Sequence, residues 1–146
     1  MLTTLWRWPV TRLRLLVDQN LASLDEKLNE LFPRKIQAVS VFDLRPDFHD
    51  YTKDPELIRL GNRKRYILLT SDTNSITKKK YPPCNHGGII KMSGMPSTEE
   101  VLARLQKLIR SGPTYLRQIR RHFTHLDSDS ATICKEHGEI TQVSFQ

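Results

Sequence analysis

Asp54-Pro55-Glu56-Leu57-Ile58-Arg59-Leu60-Gly61-Asn62-Arg63-Lys64-Arg65-Tyr66-Ile67-Leu68-Leu69-Thr70-Ser71-Asp72 is the stretch that decides the fold. Asp54 can accept hydrogen bonds from the free N–H groups of a first helical turn, and Pro55 sits at the first position, where no donor is missed. Gly61 to Arg65 closes that helix. Tyr66–Leu69 then reads as a buried strand that delivers Thr70, Ser71 and Asp72 at its C-terminal end. A helix handing the chain to a buried strand is half of a β-α-β unit, so the other strands are sought on either side.

Upstream, Leu13–Val17 is a short apolar run that ends at Asp18. Leu21, Leu24, Leu28 and Leu31 then recur at helical spacing behind Asn20, a good N-cap. Ile36–Phe42 is rich in β-branched residues and predicts a second strand, ending at Asp43. Downstream, the turn-rich Lys78 to Pro83 leads through His86-Gly87-Gly88 into a strand at Gly88–Met92. Ser97 to Glu100 is a capping box that opens a helix carrying Val101, Leu102, Leu105, Leu108 and Ile109. A further helix is expected over Thr114–Phe123, and Ala131–Lys135 with Glu139–Ser144 predict a terminal hairpin around His137-Gly138. Strand and helix alternate with short connections, which predicts an α/β fold with right-handed crossovers and a parallel sheet.

A length of 146 residues holds one domain with a real core and hardly two. With 38% hydrophobic and 27% charged residues the composition is neither disordered nor membrane-like. Lys and Arg outnumber Asp and Glu to give a formal charge of +7, which favours a polyanionic partner such as nucleic acid or an acidic protein. Cys84 and Cys134 lie far apart and outside any C-x-x-C pair, so no secreted disulfide framework is expected and a reducing cytoplasm fits best. Arg7, Pro9, Arg12 and Arg14 interrupt the first residues, which are therefore expected to be neither a signal nor a membrane span; Trp6 and Trp8 suggest an arm ahead of the first strand.

In an open parallel sheet the crevice lies outside the carboxyl ends of the strands. Asp18, Asp43 and Asp72 follow predicted strands, and Asp54 starts a crossover helix at that same edge. Like charges so placed repel unless a divalent cation neutralises them, and Mg²⁺ or Mn²⁺ suits a set of oxygen ligands. Each aspartate taken singly also fits a turn or an N-cap, and capping alone accounts for Asp54.

Leu15-Leu16-Val17-Asp18-Gln19-Asn20-Leu21, Asp54-Pro55-Glu56-Leu57-Ile58-Arg59-Leu60-Gly61, Tyr66 to Asp72 and His86-Gly87-Gly88-Ile89-Ile90, in this order and spacing, resemble the small PIN-like nuclease family, related to VapC-type toxins of bacterial toxin–antitoxin pairs. The likeness runs over roughly Leu13 to Arg110. It implies an α/β/α sandwich with a mostly parallel central sheet, to which the predicted hairpin adds a C-terminal β-hairpin extension. The chain is then expected to be one domain over 1–146, with an arm at 1–11, the PIN-like core at 13–110 and a C-terminal helix and hairpin at 111–146. The function implied is a Mg²⁺- or Mn²⁺-dependent endoribonuclease, with Asp18, Asp54 and Asp72 as metal-binding and catalytic residues and Thr70, Asp43 and Asn74 in support. Its partners would be RNA and a cognate antitoxin, with no membrane, and a homodimer is expected by analogy. Gln19 and Asn74 stand where the family commonly has acids, and Ser75-Ile76 where it commonly has Phe. That leaves a second reading, a catalytically impaired module that binds nucleic acid or a partner protein.

Arg59, Arg63, Lys64, Arg65, Lys78, Lys79 and Lys80 are candidates to grip a phosphate backbone, although charge runs also make ordinary solvated surface. Arg117, Arg120, Arg121, His122 and His125 give the predicted C-terminal helix a basic face. Cys84-x-His86 with Cys134-x-x-His137 contains four zinc-type donors at irregular spacing, and His86-Gly87-Gly88 is better explained as the start of a strand.

Overall fold

The computed structural model describes residues 12–18, 21, 23–44, 54–71 and 76–145. In chain order the elements are β1 (Leu13–Val17), α1 (Leu24–Leu31), β2 (Ile36–Ser40), α2 (Val41–Leu44), α3 (Asp54–Lys64), β3 (Ile67–Thr70), β4 (Ile89–Met92), α4 (Thr98–Arg110), α5 (Pro113–Ile119), β5 (Phe123–Leu126), β6 (Ser130–Cys134) and β7 (Ile140–Ser144). The strands form a seven-stranded sheet in the order β2-β1-β3-β4-β5-β6-β7. Pairing is parallel from β2 through β5 and antiparallel from β5 to β7.

Alternation along the strands sends side chains into two cores. Leu13, Leu15 and Val17 of β1 pack with α1, α4 and α5 through Leu24, Leu28, Leu105 and Ile119. Leu16 points the other way, with Leu57 and Leu60 of α3 and with Leu68, Ile89 and Phe123. Helices thus cover both faces of the sheet, which explains why its central strands read as nearly unbroken apolar runs. Arg14 is the exception in β1: its guanidinium lies 4.3 Å from the centre of the Tyr66 ring.

Several expectations are corrected. The helix after β1 begins at Leu24 rather than behind Asn20, because Ser23 adopts a left-handed conformation (φ 66°) that breaks helical continuity with Leu21. β2 ends at Ser40, and Val41 and Phe42 belong to α2. Ser40 and Asp43 force that turn by bonding reciprocally: Ser40 N–H donates to Asp43 Oδ2 at 3.1 Å and Asp43 N–H to Ser40 Oγ at 3.2 Å. The helix predicted to reach Phe123 stops at Ile119; Arg120 is extended and Arg121 is left-handed (φ 64°), so the chain reverses into β5. The hairpin is therefore joined to the parallel sheet through a strand that four residues of mixed polarity did not reveal.

Gly88 shows why the loop into β4 needs glycine. Its φ is +126°, and a Cβ there would stand 3.0 Å from Ile67 Cγ1 and 3.1 Å from the Ile119 carbonyl. Among the described residues no helix is long and apolar enough to cross a membrane.

Candidate functional site

β1 and β3 are neighbours although they are not consecutive, so the sheet's direction of growth reverses between them. A crevice opens at such a switch point, outside the carboxyl ends of the two strands. Val17 is in register with Leu69, which places Asp18 beside Thr70 at that spot. The Asp18 N–H donates to the Leu69 carbonyl at 3.1 Å, carrying the ladder one residue past β1. Thr70 Oγ1 donates to Asp18 Oδ2 at 2.8 Å. Asp18 is 5% exposed and Thr70 is fully buried, so this carboxylate is held in a fixed direction in surroundings of low polarity.

The register continues the polar row. Thr70 pairs with Lys91, Lys91 with His125 and His125 with Thr132, and all lie on the face that α3 covers. Lys91 Nζ donates to the Ile76 carbonyl at 2.8 Å and so ties the chain after β3 down to β4. Burial, followed by the nearby charges of Lys91 and Lys78, holds the His125 imidazole below its ordinary pKa; Asp127 opposes them. Two strand spacings put Lys91 about 10 Å from Asp18. Sequence reasoning passed over Lys91 and placed His125 on a helix; the available signal was an ionisable residue inside an otherwise apolar strand, in Ile89-Ile90-Lys91-Met92, whereas Phe123-Thr124-His125-Leu126 is of mixed polarity and carried none.

The remaining candidates are distributed unevenly. Asp54 is the first residue of α3. Asp72, Asn74 and Gln19 lie outside the described residues. Asp43 is exposed and engaged with Ser40 in starting α2. Arg59 is exposed, its Nε donating to the Pro55 carbonyl at 3.3 Å. Arg63 and Lys64 occupy the far end of α3, and Arg65 follows it in a left-handed conformation (φ 62°). Eleven residues of helix put that end about 15 Å from its start, because a crossover helix runs antiparallel to the strands it joins. The structure thus separates these cations from Asp18 and sets them where β3 begins.

Lys78, Lys79 and Lys80 are exposed on the turn between β3 and β4. Lys78 and Lys79 line an open groove of about 420 Å³, with Pro82, Pro83, Cys134 and the β6–β7 turn. The groove lies at the opposite edge of the sheet from Asp18, beside the start of β5, since Cys134 pairs with Phe123.

Two of the four zinc-type donors are engaged in other ways. Cys84 Sγ donates to Glu136 Oε1 at 3.0 Å, and that bond above all raises its pKa. His86 Nδ1 accepts from the Gly88 N–H at 3.1 Å while Nε2 donates to the Tyr81 carbonyl at 3.0 Å. Burial pushes the His86 pKa down, which suits this neutral, doubly bonded ring. Among the described residues no three His, Cys, Asp or Glu side chains gather as metal ligands.

A second polar cluster lies at the carboxyl ends of β4 and β5, on the α4 side. Arg104 is 8% exposed and donates to the Ser93 and Leu126 carbonyls, both at 3.0 Å, and to Glu100 Oε1 at 3.1 Å. Ser93 Oγ is hydrogen-bonded to Asp127. Arg104 therefore satisfies strand-end carbonyls that α4 would otherwise cover, a structural task.

No family model, curated protein or solved structure matches the chain.

Proposed function

We propose that this protein is a PIN-like, Mg²⁺- or Mn²⁺-dependent endoribonuclease acting in the cytoplasm as the toxin of a toxin–antitoxin pair. One observation carries the reading: a carboxylate only 5% exposed, at the switch point of a parallel sheet, is aimed by a hydroxyl of the neighbouring strand. The proposed ligands Asp18, Asp54 and Asp72 are all hard oxygen donors, which suit Mg²⁺ or Mn²⁺, while the soft donors Cys84 and Cys134 lie elsewhere in the fold. When bound, such an ion lowers the pKa of a water molecule and offsets charge on a phosphodiester. Thr70 fixes the direction of the Asp18 carboxylate. Lys91 and Lys78, both near His125, would supply positive charge for the flanking backbone of an RNA. The second reading, a binding module without catalysis, is favoured by Gln19 and Asn74, neutral residues where the resembled family has acids.

The deciding assay is cleavage of a mixed RNA with Mg²⁺, with Mn²⁺ and with chelator. Wild type should cut only with metal, and Asp18→Asn should lose nearly all activity while staying folded. Cleavage that persists in chelator or in Asp18→Asn rejects the metal-nuclease reading. An inactive wild type that still binds RNA selects the second.

A further inference from the structure

The chain treats the two edges of its sheet differently. At the β2 edge the outward donors are those of Ile36, Ala38 and Ser40, and each is used. Ile36 N–H donates to the Phe32 carbonyl at 2.9 Å, Ala38 N–H to Asn29 Oδ1 at 2.8 Å and Ser40 N–H to Asp43 Oδ2 at 3.1 Å. Asn29 Nδ2 also donates to the Ala38 carbonyl at 2.7 Å, so one amide side chain stands in for a neighbouring strand. An incoming strand finds those donors already taken.

Among the described residues β7 has no such cover. The Lys135 N–H donates to the Glu139 carbonyl at 2.8 Å and the Phe145 N–H to the Asp129 carbonyl at 2.8 Å, which marks bonded rungs at both ends of the β6–β7 ladder. Bonded and non-bonded rungs alternate in an antiparallel pair, so Ile133 with Thr141 and Ala131 with Val143 are the bonded rungs between. The backbone N–H and C=O groups of Ile140, Gln142 and Ser144 therefore point away from β6, and among the described residues nothing accepts or donates to them. The devices that usually protect an edge are missing as well. Ile140-Thr141-Gln142-Val143-Ser144 contains no charge and no proline in a chain that is 27% charged, and Ile140 is 57% exposed.

We propose that β7 pairs antiparallel with β7 of a second copy about a twofold axis at Gln142, joining two sheets into one. The strand is complementary to itself. Centred on Gln142, Ile140 of each copy faces Ser144 of the other, so every outward N–H meets a carbonyl and no like charges oppose each other. A peptide selected by charge is less well matched, because the groove next to Ile140 mixes Lys78, Lys79 and Lys135 with Glu136 and Glu139. The pairing does not depend on the nuclease reading, since β7 and Asp18 lie on different strands, far apart in the sheet order.

The interface is small for a permanent dimer, so mass should rise with concentration. In sedimentation equilibrium from low to high micromolar protein, wild type should move from 17.0 kDa towards twice that mass. Gln142→Pro removes only an outward N–H, and Gln142→Lys sets two like charges at the axis; both should stay at 17.0 kDa with unchanged circular dichroism. Amide exchange at Ile140, Gln142 and Ser144 should slow in concentrated wild type and not in Gln142→Lys. If Gln142→Pro fails to fold, Gln142→Lys carries the test alone. A wild type that remains monomeric throughout, or a dimer that survives Gln142→Lys with those three amides still exchanging fast, overturns the proposal.

Discussion

Thr70 is where the proposed site and the stability of the fold meet. Its hydroxyl donates to a carboxylate that is 5% exposed, and a buried acceptor that loses its donor costs about 1–3 kcal/mol. Thr70→Val should lower the unfolding free energy by roughly that amount in urea. Thr70→Ser should recover much of it, and a Val variant as stable as wild type would remove Thr70 from this role. The histidines give a pH test. His86 and His125 are both held below the ordinary imidazole pKa, first of all by burial; the bond to the Tyr81 carbonyl opposes the shift at His86, and the charges of Lys91 and Lys78 add to it at His125. In the unfolded chain the same rings take up protons near pH 6.5, before the folded protein does. Their contribution to stability is thus complete above that value and is lost as pH falls below it. The urea midpoint should decline from about pH 7 towards about pH 5, and less steeply in His125→Gln. Equal slopes in the two proteins would contradict the assignment.

Among the elements, β2 and α1 depend on each other through Asn29, which bonds both the N–H and the C=O of Ala38. Asn29→Ala should cost about 1–3 kcal/mol and expose β2 as an edge. Urea melts would read the first effect and light scattering of concentrated protein the second. Neither change would appear if Asn29 were only a solvated helix residue, as its place on the polar face of an amphipathic pattern suggests. The α4 start was legible: Ser97 Oγ accepts from the Glu100 N–H at 3.2 Å, as the capping box predicts. α2 and β5 were not: each spans only four residues, too few for a hydrophobic period to show, and β5 takes its direction from pairing with β4, distant in sequence.

Across the whole molecule, the charge of +7 is divided between places that the linear order does not separate. Arg63 and Lys64 end α3 where β3 begins, whereas Lys78 reaches His125 of the polar row and, with Lys79, the groove. RNA binding measured in chelator should therefore weaken in Lys78→Ala, with the salt slope falling by about 0.7 if one phosphate is no longer neutralised. Arg63→Ala/Lys64→Ala should leave affinity and slope nearly unchanged. The opposite pattern would put the RNA path along α3.

Hydrophobic periodicity and helix caps are local properties, and they determined most of what was read from the chain alone: an α/β domain, four parallel strands close to their observed bounds, a terminal hairpin and Asp18 at a strand exit. Tertiary structure alone decided which strands are neighbours. That choice puts Thr70 against Asp18 across 52 positions of sequence, lines Lys91 and His125 up in the same row, closes β2 with Asn29 and, among the described residues, leaves β7 open. The physical reason is that a strand's pattern of apolar residues says which face is buried but not which partner takes its backbone hydrogen bonds. That is settled only when the two cores pack.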